Sequence, residues 1–163
     1  MRLTTFTDYS VRVLLYLANA PEGRSTIASI ARAYGISEHH LVKVVHSLGR
    51  AGFLQNTRGR RGGLRLARRA EDINLGEVVR FAESPDMPAE CFDRSTNTCV
   101  LSGGCRLQSI FGEAIAAFYK TLACYSLADL HVAPRKLEHL LRLEARAVAY
   151  RNASPKVTAR RRP

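Results

Sequence analysis

The chain has 163 residues, 46% of them apolar, and a formal net charge of +11. That is enough for one domain with a buried core and an element or two beyond it. No run approaches the ~18 apolar residues of a membrane span. The opening MRLTTFTDYS also lacks the basic-then-apolar order of a secretory signal, so a soluble cytoplasmic protein is expected. Residues 1–80 carry 13 Lys/Arg against 6 Asp/Glu, residues 81–155 carry 8 of each, and residues 156–163 carry 4 basic residues and no acid. Charge serving solubility alone would be spread more evenly. A basic N-terminal half joined to a neutral one is the footprint of a nucleic-acid-binding module attached to an assembly module.

In chain order, residues 5–19 read as a helix, with Thr5 and Asp8 as a capping box and Val11, Leu14, Leu15 and Ala18 on one face. Pro21-Glu22-Gly23 ends it. Thr26 starts a short helix with Ile27, Ile30 and Ala31 inward, and Gly35 follows where a left-handed residue closes a helix. Ser37 is a good N-cap for a second helix whose apolar face is Leu41, Val44, Val45 and Leu48, ending at Gly52. Helix, glycine turn and capped helix make a helix-turn-helix. Residues 53–57 and 64–67 then read as two short strands around RGRRGG. A hairpin with such a tip is a wing whose Arg58, Arg60 and Arg61 would grip the DNA backbone or enter a minor groove; the alternative is a solvated basic hairpin. Ser37, His39, His40 and Lys43, at the N-terminal end of the second helix, are the expected major-groove contacts, although His39 and His40 are equally readable as plain surface residues.

Residues 75–82 form a further short helix. A loop rich in Ser, Pro, Asn, Thr and Gly spans residues 84–104, longer than structureless loops usually are in compact domains, which implies a function for it. From Cys105 a long helix carries an uninterrupted stripe of Leu107, Ile110, Phe111, Ala114, Ile115, Phe118 and Leu122. So apolar a face needs a partner surface, and the same helix of a second subunit is the expected one, with packing inside one subunit as the alternative. Residues 125–130 form a turn or short helix, residues 135–151 an amphipathic helix with Leu137, Leu140, Leu141 and Leu143, and the tail KVTARRRP is expected to be disordered.

The cysteine spacing is seven residues between Cys91 and Cys99 and five between Cys99 and Cys105. It matches no zinc-ribbon or zinc-finger pattern, and no histidine lies between Cys91 and Cys105. Three thiolates in a glycine-containing loop suit an iron–sulfur cluster. Such a cluster normally takes four ligands. Cys124 is available in principle, but its place on the helix stripe suits a buried small apolar residue.

The opening MRLTTFTDYSVRVLLYLA, the segment LVKVVHSLGRAGFL, the wing RGRRGGLRLA, the three cysteines and the closing YSLADL together resemble the iron–sulfur winged-helix regulators of the NsrR/IscR family, from residue 1 to about residue 130. The resemblance is closest to the family's nitric-oxide-sensing members. It implies a mainly α fold with a winged helix-turn-helix, a homodimer and a cluster held by Cys91, Cys99 and Cys105. It also implies a fourth ligand from an aspartate near the other subunit's N-terminus, and Asp8 occupies that place; the residues alone favour Asp8 as only a helix cap. The 2Fe–2S members carry a histidine three residues after the third cysteine, where this chain has Gln108. That favours a 4Fe–4S cluster, with 2Fe–2S the other possibility. Seven residues between the first two cysteines is more than the resemblance leads one to expect, and a longer loop costs little entropy.

The expected organisation is a DNA-binding domain at 1–83, a cysteine-rich loop at 84–105, dimerisation and C-terminal helices at 105–151 and a basic tail at 152–163. The expected function is a cluster-dependent repressor that senses nitric oxide and leaves an inverted-repeat operator. The alternative is a 2Fe–2S or redox- or iron-sensing regulator of the same family that controls cluster biogenesis, with a zinc sensor of the same fold as a further rival. A redox enzyme is disfavoured, because the chain has no nucleotide-binding glycine motif and no acid–base pair.

Overall fold

A computed structural model describes residues 3–20, 23–57, 63–83, 89–93 and 95–130. The wing tip 58–62, the amphipathic helix expected at 135–151 and the basic tail lie outside the described residues.

Three helices, α1 (Thr5–Ala18), α2 (Ile27–Tyr34) and α3 (Glu38–Arg50), are followed by an antiparallel hairpin of β1 (Leu54–Thr57) and β2 (Gly63–Leu66). Two more helices follow, α4 (Leu75–Glu83) and α5 (Arg106–Leu122). The hairpin register pairs Leu54 with Leu66 and Thr57 with Gly63. Ser25 adds a bridge to Leu64, through N–H···O bonds of 3.0 and 2.8 Å, so the chain entering α2 lies along the outer edge of β2. This architecture is the expected mainly α fold with a winged helix-turn-helix.

Gly35 closes α2 at φ +65°, and its N–H donates to the carbonyl of Ala31. That left-handed residue turns the chain into Ser37, which occupies the N-cap of α3 without a side-chain capping bond. Leu41, Val44, Val45 and Leu48 of α3 are buried, as expected. They meet Ile30 and Ala31 of α2, Leu14 and Leu17 of α1, and Phe53, Leu54 and Leu64 of the wing in one core.

The start of α1 departs from the expected capping box. The cap is Thr4, whose Oγ1 accepts from the N–H of Thr7 at 3.2 Å, so Asp8 stands one residue past the capping position. The buried face is also shifted, to Thr7, Ser10, Val13, Leu14 and Leu17, while Val11 and Leu15 are half-buried. Apolar residues surround much of α1, so their spacing did not select one face. Packing against α4 as well as α3 selected it, and the small Thr7 and Ser10 face inward. Glu83, the last residue of α4, accepts hydrogen bonds from the N–H of Thr4 (2.8 Å), from Thr4 Oγ1 (3.1 Å) and from Thr7 Oγ1.

After α5 the chain returns to the winged domain. Leu127 is 2% exposed and donates its N–H to the carbonyl of Ile73 at 2.8 Å, while the N–H of Leu75 donates to the carbonyl of Tyr125 at 2.9 Å. Asp129 caps this turn by accepting from the N–H and hydroxyl of Ser126, which holds its carboxyl below the ordinary aspartate value. The conspicuous YSLADL segment is therefore a core plug. At Gly76, a Cβ would stand 3.0 Å from the backbone nitrogen of Ala123, so glycine lets α4 approach the end of α5 without displacing that backbone. α5 itself buries no residue within the described chain: Leu107 is 54%, Ile110 50% and Phe111 40% exposed.

Candidate DNA interface and metal centre

On α3 the buried apolar face leaves an opposite face of His39, His40, Lys43, His46 and Arg50, all exposed, with Ser37 exposed at its head. Sequence reasoning named the first turns of this face and missed His46 and Arg50, which continue it at helical spacing from Lys43. Arg58, Arg60 and Arg61 lie outside the described residues, between strands that are described. Those strands are held by four register pairs and, on one side, by Ser25. Arg68, behind the wing, stacks over Phe53 at 5.2 Å and pairs with Glu77 at 3.1 Å, which fastens the hairpin base to α4.

The cysteine loop is built from its own polar side chains. Cys91 sits in a single 3-10 turn, Glu90–Phe92. Asp93 accepts from the hydroxyl and N–H of Ser95 and the hydroxyl of Thr96, and these bonds hold its carboxyl below the ordinary value. Thr98 donates to Glu90 at 3.2 Å. Asn97 accepts from the N–H of Cys99 at 3.0 Å and donates to Ser102 at 2.6 Å. Cys105 is the N-cap residue of α5. One helical turn further, Gln108 Nε2 donates to the carbonyl of Cys91 at 2.7 Å, pinning the first cysteine turn to the start of α5. The positive end of the α5 dipole thus lies beside this segment, where it favours negative charge on a bound group.

Cys91, Cys99 and Cys105 are all free and partly exposed. Among the described residues, no three Cys, His, Asp or Glu side chains lie together closely enough to hold a metal ion. As a donor set, three soft thiols of one loop fit an iron–sulfur group, which prefers thiolate ligands. Cys124, expected as a buried apolar residue, is exposed; α5 ends at Leu122, the chain turns off the stripe, and its Sγ lies 3.4 Å from the carbonyl of Lys120. Asp8 is exposed on α1 and pairs with Arg12 at 2.9 Å, two half-exposed side chains one helical turn apart. Such a pair contributes about 0.3–0.5 kcal/mol, so it releases the carboxylate easily. No cap holds Asp8 back.

A recognition helix backed by a core, and a hairpin wing beside it, define a DNA-binding transcription regulator rather than an enzyme. The chain belongs to the Rrf2 family, whose model, described as an iron-dependent transcriptional regulator, matches residues 3–133. It is 45% identical over 145 residues to the HTH-type transcriptional regulator NsrR of Shouchella clausii, covering 88% of this chain and 97% of that protein. Among solved structures it resembles CymR, the global cysteine regulator of B. subtilis, with a TM-score of 0.63 and 26% identity over 80% of this chain and 95% of that one. It also resembles T. potens IscR, with a TM-score of 0.63 and 27% identity over 80% of this chain and 85% of that one. None of the described helices is long and apolar enough to cross a membrane.

Proposed function

We propose that the chain is a homodimeric, iron–sulfur-dependent transcriptional repressor that leaves its operator in response to nitric oxide. The observations that carry this reading are three free thiols in a loop fastened to α5 and, separately, an exposed carboxylate, Asp8, on a helix that shares a core with α3. The similarity to proteins named NsrR supports the signal.

When bound, an iron–sulfur group, 4Fe–4S favoured over 2Fe–2S, would supply iron open to reaction with nitric oxide. Cys91, Cys99 and Cys105 would hold it from the loop, and Asp8 of the second subunit would be the fourth donor. Gln108 is engaged with the Cys91 carbonyl, so the position three residues after Cys105 serves the loop backbone instead of offering a ligand. A carboxylate is a harder, weaker donor than a thiolate to such a group, so Asp8 is the ligand most readily given up. Free of that role it has Arg12 to return to. The buried Leu14 and Leu17 of α1 share a core with Leu41 and Leu48 of α3, so a displacement of α1 is felt at the recognition helix. A coupling of about 1–3 kcal/mol suffices for such a switch.

Ser37, His39, His40 and Lys43 face the major groove, and Arg58, Arg60 and Arg61 hold the backbone from the wing. The exposed apolar face of α5 pairs with its copy, joining a DNA-binding unit at 1–83 and a cysteine loop at 84–105 to an assembly region at 105–151. A two-fold dimer then reads an inverted repeat. The test is a visible absorption spectrum of protein purified without oxygen, taken before and after nitric oxide, with DNA binding measured in parallel. Thiolate-to-iron absorption that changes with nitric oxide as affinity falls supports the reading. Colourless protein that still binds DNA, or an absorbance that nitric oxide leaves unchanged, overturns it.

A further inference from the structure

The exposed face of α3 carries one large apolar side chain among its basic residues. Val42 is 51% exposed, between His39 and His46 at helical spacing. Single exposed apolar residues are common on protein surfaces, so exposure alone decides nothing. Two further facts do. A β-branched residue is a weak helix former, and at a position half open to solvent the local structure gains little from it. Seven residues on, along the same side of the helix, stands Gly49, exposed, where an added Cβ would meet nothing within 4 Å. Val42 is short and Gly49 is bare, so on this side of α3 only the imidazole of His46 stands between two positions that leave room for a close approach.

In the major groove each base pair presents donors and acceptors, and only thymine presents a methyl group. A valine side chain has no donor or acceptor, so that methyl is the feature it can read favourably. We infer that Val42 is a specificity-determining residue, packing on the 5-methyl group of one thymine in each half-site. The inference rests on the reading of α3 as the recognition helix and adds to it the base that one position selects.

The experiment starts with selection from a random duplex pool by the wild-type chain. Each thymine of the selected duplex is then replaced in turn by uracil, which removes only the methyl group. Wild type loses about fourfold in affinity at one position per half-site, the effect of taking one methyl out of apolar contact. Val42→Ala, whose side chain ends one carbon short of the valine methyls, loses most of the difference between the thymine and uracil duplexes, at that position alone. Alanine is the better helix former, so misfolding does not explain such a change. Wild-type affinity indifferent to every uracil, or a Val42→Ala chain that keeps the wild-type sensitivity to uracil, overturns the inference. Lys43→Ala separates the two levels. If it weakens binding to all sequences while Val42→Ala changes nothing, α3 faces DNA and Val42 does not read a base. If neither substitution affects binding, the reading of α3 fails and the inference with it.

Discussion

The carboxylate of Glu83 meets the backbone N–H of Thr4 at 2.8 Å, which ties the last residue of α4 to the residue that caps α1. In sequence the cysteine loop comes after Glu83, and Asp8 stands four residues after Thr4. Burial alone would push the Glu83 carboxyl up, but the hydrogen bonds from Thr7 and from the backbone and hydroxyl of Thr4 together hold it below its ordinary value of 4.5. A carboxylate with a depressed value contributes stability that is complete above the unfolded value and lost as pH falls through the folded one. Glu83→Gln is therefore expected to lower the melting temperature at pH 7. It should also flatten the fall in stability below about pH 4.5, measured by thermal denaturation across pH 3–7. A variant whose acid profile overlays wild type would remove Glu83 from that linkage.

Gly76 sets the approach of α4 to the end of α5. An alanine Cβ there would lie 3.0 Å from the nitrogen and 3.2 Å from the Cα of Ala123, and 3.1 Å from Asn74 Oδ1. Two of those atoms are backbone and cannot swing away. Gly76→Ala should cost about 1–3 kcal/mol by overpacking, read from urea denaturation. Ala123 belongs to the turn leading to the Leu127 plug, so hydrogen exchange should rise there first.

The wing makes a separable prediction. Arg60→Ala with Arg61→Ala should weaken DNA binding and make the salt dependence shallower by about 0.9 for each phosphate that is no longer neutralised. The same slope at lower affinity would mean that neither arginine neutralises a phosphate.

Assembly is tested on α5. Ile110 is half-exposed in the single chain, next to Leu107 and Phe111. Ile110→Glu puts a charge into the proposed helix pair and should turn a dimer into a monomer in sedimentation at micromolar concentration. Melting of the winged domain should change little, because the core contains no residue of α5. A wild-type chain that sediments as a monomer counts directly against the pair.

Cross-subunit ligation predicts a fraction. In a mixed dimer with Asp8→Ala in one subunit and Cys99→Ala in the other, one site loses both donors and the second stays complete. About half the wild-type iron should therefore remain; this follows from two independent sites per dimer in the two-fold arrangement. Ligation within one subunit damages both sites and leaves less. Asp8→Ala in both subunits should bind the group less tightly and uncouple it from DNA affinity.

Much of the fold was legible because its signals are local. Gly35 has to be left-handed to close α2, Ser37 stands at the head of α3, and the buried Leu41, Val44, Val45 and Leu48 follow the 3.6-residue period. Three things were decided only in tertiary structure. Which face of α1 turns inward depended on α4, because α1 is apolar on several sides and a period cannot choose among them. Asp8 became an exposed ion-pair partner instead of a cap because Thr4, held by Glu83 from 79 positions away, took the capping position. Glu83 gained its role from residues 76 and 79 positions away in the chain, Thr7 and Thr4. Local chemistry writes caps, turns and periods into neighbouring residues, whereas a hydrogen bond between distant segments leaves no pattern in the sequence until the core has brought them together.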